Sequence, residues 1–177
     1  MMRMLAFIAP AVLALAACAG VDRINHVTYD GYAASHVVEA GRDGPAPLVV
    51  HGSPGGQPPL DVAAAAAHAM SGASFGPHIE LAAAEGPNRN GYMVAIRFGS
   101  AGFPRSVCVE DPSAGADGVE YVAAFCKDGH PLSYLSGAVP DGDIAGAGFR
   151  RAMSGAAISL LPIENPNLYD CDLRDCD

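Results

Sequence analysis

Apolar positions in this chain fall into short blocks punctuated by glycine and proline. Leu48-Val49-Val50 reads as a buried strand, broken by His51-Gly52-Ser53-Pro54-Gly55-Gly56. Pro58-Pro59 then opens a helix over residues 59–71, with Asp61 in its first turn and Gly72 at the C-cap position. Most of that segment is alanine, so its periodicity does not say which face it buries. Strand signals follow in series. His78–Ala84 alternates with Ile79, Leu81 and Ala83 on one face. Gly91–Phe98 puts Tyr92, Val94, Ile96 and Phe98 on one side and Met93, Ala95 and Arg97 on the other, after a turn over 85–91. Ser106–Glu110, Val119–Cys126 and Leu132–Val139 continue the series, and Asp128-Gly129 between the last two is a hairpin signal. Finally, Asp143–Leu161 carries Phe149, Ala152, Met153, Ala156 and Leu160 at helical spacing and stops before Pro162.

Short turns between consecutive strands favour antiparallel pairing, with helices covering one face. The expected fold is therefore α+β: a two-layer, mostly antiparallel sheet of about five strands with two helices on one face, over residues 47–163. Residues 18–46 hold few apolar clusters and read as a tether, with one strand over Ser35–Ala40. Residues 164–177 read as an acidic tail. The phrase Ala-Met-Ser-Gly-Ala occurs at 69–73 and again at 152–156, which in so Ala- and Gly-rich a chain reads as coincidence.

The first 17 residues follow a different pattern. One positive charge, Arg3, precedes an apolar run from Leu5 to Ala17, the layout of a secretory signal peptide. That run spans roughly 20 Å as a helix, short of a ~30 Å hydrocarbon core. Leu15-Ala16-Ala17-Cys18 resembles the lipobox of bacterial lipoproteins. The resemblance implies cleavage between Ala17 and Cys18 and attachment of diacylglycerol and palmitate-type chains to Cys18. The peptide bond is flanked by small residues, and a thiol can accept the lipid. Ala19 stands where that family's inner-membrane retention signal is typically Asp, so the resemblance implies an outer-membrane protein facing the periplasm. More loosely, over most of its length, the chain resembles small Gram-negative envelope lipoproteins, a likeness that implies no activity.

Composition changes the picture in two ways. The whole chain has 177 residues, a net charge of −9 and 50% hydrophobic residues. Cleavage would remove an apolar segment and Arg3, leaving an acidic domain in which Ala, Gly and Pro outnumber large apolar residues. The core must be thin, and covalent reinforcement would help it. A basic cluster able to neutralise nucleic-acid phosphates is missing, since the one basic doublet is Arg150-Arg151. Four cysteines follow Cys18, and exported thiols in even number form disulfides more readily than metal sites. Of three pairings, Cys108–Cys126 and Cys171–Cys176 are favoured, the first joining two expected strands and the second closing the tail. Without Cys-x-x-Cys or a histidine pair at ligand spacing, neither a metal nor another cofactor is expected.

Two fragments resemble the α/β-hydrolase family. Leu48–Gly55 is similar to its strand and His-Gly oxyanion loop, and Gly72-Ala73-Ser74-Phe75-Gly76 matches its nucleophile elbow, Gly-x-Ser-x-Gly. The context is reversed, because a helix precedes Ser74 and Pro77 leads into a strand. Ser74 would need His130 and Asp128 as partners. The expectation is a lipid-anchored, non-catalytic binding or assembly module for an envelope protein; a serine hydrolase using Ser74 is the alternative.

Overall fold

A computed structural model describes residues 23–99, 104–109 and 115–166. Strand β1 (Arg23–Tyr29) leads to helix α1 (Ala34–Ala40), β2 (Ala46–His51) and α2 (Pro59–Met70). Next come β3 (Leu81–Ala83), β4 (Tyr92–Phe98), the single turn α3 (Pro104–Val107), β5 (Glu120–Lys127), β6 (His130–Ala138) and α4 (Ala147–Leu160). The strands form one sheet in the order β1-β6-β5-β4-β2-β3. The class is α+β, as the pattern of elements requires. The sheet has six strands rather than about five, and it is mixed. Pairs β1–β6, β6–β5 and β5–β4 are antiparallel, whereas β2 runs parallel to both β3 and β4.

The sixth strand and an extra helix come from residues 23–46, the segment read as a tether. β1 pairs with β6 from Arg23↔Ala138 to Tyr29↔Ser133, and α1 occupies the region expected to be a strand. Both corrections have the same cause. β1 is an edge strand exposed over its first four residues, and α1 buries only Val37, so neither leaves an apolar stripe in the sequence. Of the expected strand 106–110, residues 106–109 are instead the end of α3 and a turn, too short for any period to register.

Alternation along β4 and β5 divides the core in two. Val94, Ile96 and Phe98 of β4 and Tyr121, Ala123 and Phe125 of β5 join α2 and α4 in the larger cluster. There Val62, Ala63, Ala66, Ala67 and Met70 meet Phe149, Ala152, Met153, Ala156, Ala157 and Leu160. The small side chains of α2 let it lie close to its neighbours. The two Ala-Met-Ser-Gly-Ala phrases touch, for the Ser154 hydroxyl donates to the Ala69 carbonyl at 2.8 Å. Their serines otherwise differ in role: Ser71 ends α2 and accepts the Leu81 N–H. On the opposite sheet face, Val49, Met93, Ala95, Val122 and Ala124 pack with Val107 and the Cys108–Cys126 pair.

The β5–β6 hairpin turns through Asp128 at φ 51° and Gly129 at φ 77°. Two successive positive φ angles are the type I′ geometry that Asp-Gly favours.

Candidate functional site

Chain direction assigns each loop to one of two ends of the sheet. Arg23 begins β1 at the end where β6 finishes, near Ala138, and β2 and β4 also finish there. The opposite end holds Tyr29, α1, the start of β4 and the β5–β6 hairpin, together with residues 71–80 leading into β3.

A linked set of polar side chains sits at this second end. Helical spacing puts His36 and Glu39 on one side of α1, where both reach the phenol of Tyr92, the first residue of β4. Tyr92 has one hydroxyl proton and donates it to Glu39 Oε2 at 2.6 Å. It must therefore accept from His36 Nδ1, 2.8 Å away, which fixes the proton on that nitrogen. Lys127, paired with Tyr92 across the ladder, places Nζ 5.0 Å from the ring centroid and 3.9 Å from Glu39 Oε2. The Tyr92 ring also stacks on Phe125, with centroids 5.7 Å apart.

Each perturbation has a local cause. The Tyr92 hydrogen bond, then Lys127, holds the Glu39 carboxyl below its usual range. Desolvation, then the bond to Glu39, raises the Tyr92 phenol. Contact with Tyr92 raises the Lys127 ammonium. A tyrosine acting as a base at neutral pH needs a lowered value. Tyr92 is pushed the other way, so the cluster suits it as a fixed donor that orients charge.

The hydrolase-like fragments have other tasks. After β2, the Ser53 hydroxyl accepts the N–H groups of Gly55 and Gln57 at 3.2 and 2.8 Å and donates to Gln57 Oε1. Gln57 Nε2 in turn donates to the Gly142 carbonyl at 2.8 Å. A side chain on Gly55 would meet that same carbonyl at 2.7 Å, so the glycine is required where two backbones cross. Ser74 donates to the Pro77 carbonyl at 3.2 Å, while Asp128 Oδ1 accepts the Gly91 N–H at 2.8 Å. His130 is exposed in the β5–β6 hairpin. No hydrogen bond joins these three among the described residues.

On the smaller sheet face, at the β1-start end, His51 and Arg97 are neighbours in the parallel ladder and both are buried. Arg97 Nη1 donates to Ser106 Oγ at 3.4 Å, beside the Cys108–Cys126 disulfide, whose Cα atoms are 5.9 Å apart. The alternation of β4 already gave Arg97 its face; that the face is closed by a disulfide-held turn was not readable. The disulfide points to an oxidising, extracytoplasmic compartment.

Large apolar side chains are exposed at the second end. Phe75 is 74% exposed, Ile163 54% and Val38 52%. Gly76, next to Phe75 in the chain, packs against Ile163, since a side chain on it would lie 3.4 Å from Ile163 Cα. Sequence reading treated Phe75 only as filler between Ser74 and Gly76.

The signal segment, Ala17, Cys18, Cys171 and Cys176 lie outside the described residues. Among the described residues, no helix is long and apolar enough to cross a membrane, and no group of three His, Cys, Asp or Glu side chains could hold a metal ion. No family model, curated protein or solved structure matches the chain.

Proposed function

We propose that this protein is a lipid-anchored binding module of the cell envelope, tethered through Cys18 and facing the periplasm from the outer membrane. The observation that carries the reading is the opposition of the two ends. Arg23, five residues after Cys18, starts β1 at one end, and Phe75, Ile163 and Val38 are exposed at the other. Five residues reach at most about 18 Å, so a lipid on Cys18 keeps the first end near the bilayer and turns the second toward the periplasm. Large aromatic side chains at such positions anchor protein partners by filling pockets on them. The Tyr92–Glu39–Lys127 set supplies oriented charge at the same end.

In-cell photo-crosslinking tests this directly. A benzophenone side chain in place of Phe75 should give a discrete protein adduct, and one in place of exposed Asn90 should not. Equal or absent adducts at both positions would remove the reading. Cys18→Ser should abolish palmitate incorporation and release the chain from membranes. The competing reading, hydrolysis at Ser74, requires labelling of Ser74 by a fluorophosphonate in the folded protein. None is expected while its hydroxyl is held by Pro77.

A further inference from the structure

The exposed side of the helix layer carries a groove of about 670 Å³ between α2 and α4. Its walls include His68 from the last turn of α2 and Arg150, Arg151 and Ile158 from α4, and no acidic residue lines it among the described residues. This is the reverse of the chain as a whole, which carries −9. Arg150 donates to the Ala145 carbonyl, which holds its guanidinium near the start of α4. Arg151 is exposed and makes no ion pair among the described residues.

Position adds a second observation. Gly155 lines the groove, and a side chain there would come within 3.6 Å of Ile24 Cδ1. Ile24 is the second residue of β1, is 38% exposed, and stands six positions after Cys18. The groove therefore opens beside the point where the chain leaves the domain toward its anchor.

We infer that this groove takes the phosphate of an anionic membrane lipid, with Arg150 and Arg151 supplying charge and Ile24 facing the glycerol and upper acyl chains. Guanidinium groups suit this ligand because they bind phosphate oxygens through paired N–H donors. The inference rests on the proposed anchoring at Cys18, which brings the bilayer within reach. It also means that a strongly acidic protein is held to its membrane by a local basic site that net charge conceals. With that contact the domain has one preferred orientation instead of turning freely about its tether.

The test uses the protein purified from membranes and reconstituted in phosphatidylcholine vesicles doped with one of two photoactivatable lipids, phosphatidylglycerol or phosphatidylcholine. Both carry the same headgroup-proximal diazirine. The phosphatidylglycerol probe should label residues 147–158 about 25-fold more than the phosphatidylcholine probe. Arg150→Gln/Arg151→Gln should remove that excess, each arginine accounting for roughly fivefold, whereas Arg150→Lys/Arg151→Lys should retain most of it. An unchanged thermal midpoint separates these losses from unfolding. Equal labelling by the two lipids, or undiminished labelling of the glutamine variant, overturns the inference. So does full competition by millimolar inorganic phosphate, which would make the groove a site for a soluble anion, or labelling replaced by an acidic protein partner. The mass of the N-terminal peptide reports lipidation separately. Lipidated protein without the labelling excess leaves the anchor standing and removes the groove; the excess without lipidation does the reverse.

Discussion

The two faces of the sheet are closed in different ways. On one, α2 and α4 bury a continuous apolar layer that includes Phe98, Phe125, Phe149, Met70 and Met153. On the other, eight buried residues form the cluster among the described residues, and a four-residue helix and a disulfide pack over it. The first face is stable because much apolar area leaves water. The second cannot be held that way. Its described side chains are mostly small, and it also contains buried His51 and Arg97, whose desolvation opposes folding. A covalent link between Cys108 and Cys126 keeps α3 in place over them, 18 positions apart in sequence. In an alanine-rich chain, area suffices for one face of a six-stranded sheet, and a disulfide closes the other.

The largest effect should come from the area-stabilised face. Phe149→Ala would open a cavity between α4 and the sheet and should cost about 3–5 kcal/mol in urea-induced unfolding. A loss below 1 kcal/mol would mean that the helix layer is not the main source of stability. Next comes the crosslinked face. Cys108→Ala/Cys126→Ala should cost roughly 3 kcal/mol, the value expected for closing a loop of this length. The pattern of loss should also differ. Hydrogen exchange should accelerate first around α3 and β5 in the disulfide-free protein, while α2 and α4 keep their protection. Uniform acceleration across both layers would break the contrast between the faces.

The same contrast governs what could be read from the sequence. β4 was legible because both of its sides face buried clusters, so Tyr92 to Phe98 is an apolar run broken only by Arg97, and alternate residues divide between the two clusters. α4 showed itself through Phe149, Met153 and Leu160. The Asp128-Gly129 hairpin and the Cys108–Cys126 pair were legible from local chemistry alone. β1 and α1 were not, because an edge strand and a two-turn helix take their stability from neighbours that are distant in sequence. The second end failed for a related reason. His36, Glu39, Tyr92 and Lys127 come from three elements, and only the β4–β5 register and the packing of α1 bring them together. Phe75 carried no signal, since exposure of an aromatic residue is a property of the folded surface.

The smallest effect tests that end through pH. Glu39 is held below its ordinary value of 4.5 first by the Tyr92 hydrogen bond and then by Lys127. Its contribution is thus present above about 4.5 and is lost as pH falls through the lower folded value. Lys127 is raised above 10.5, so its contribution is present below that value and lost at higher pH. Tyr92→Phe keeps the ring on Phe125 but removes both hydroxyl bonds. Unfolding curves of wild type and variant should therefore differ between about pH 5 and 9 and converge at acid pH, where Glu39 is protonated in both. The difference should be small, because Glu39 and Lys127 are in contact with solvent. It should shrink further in high salt. A gap that persists unchanged at pH 2 would show that the Tyr92 hydroxyl acts through packing rather than through the carboxylate. The cluster would then belong with the area-stabilised face instead of forming a separate electrostatic feature at its edge.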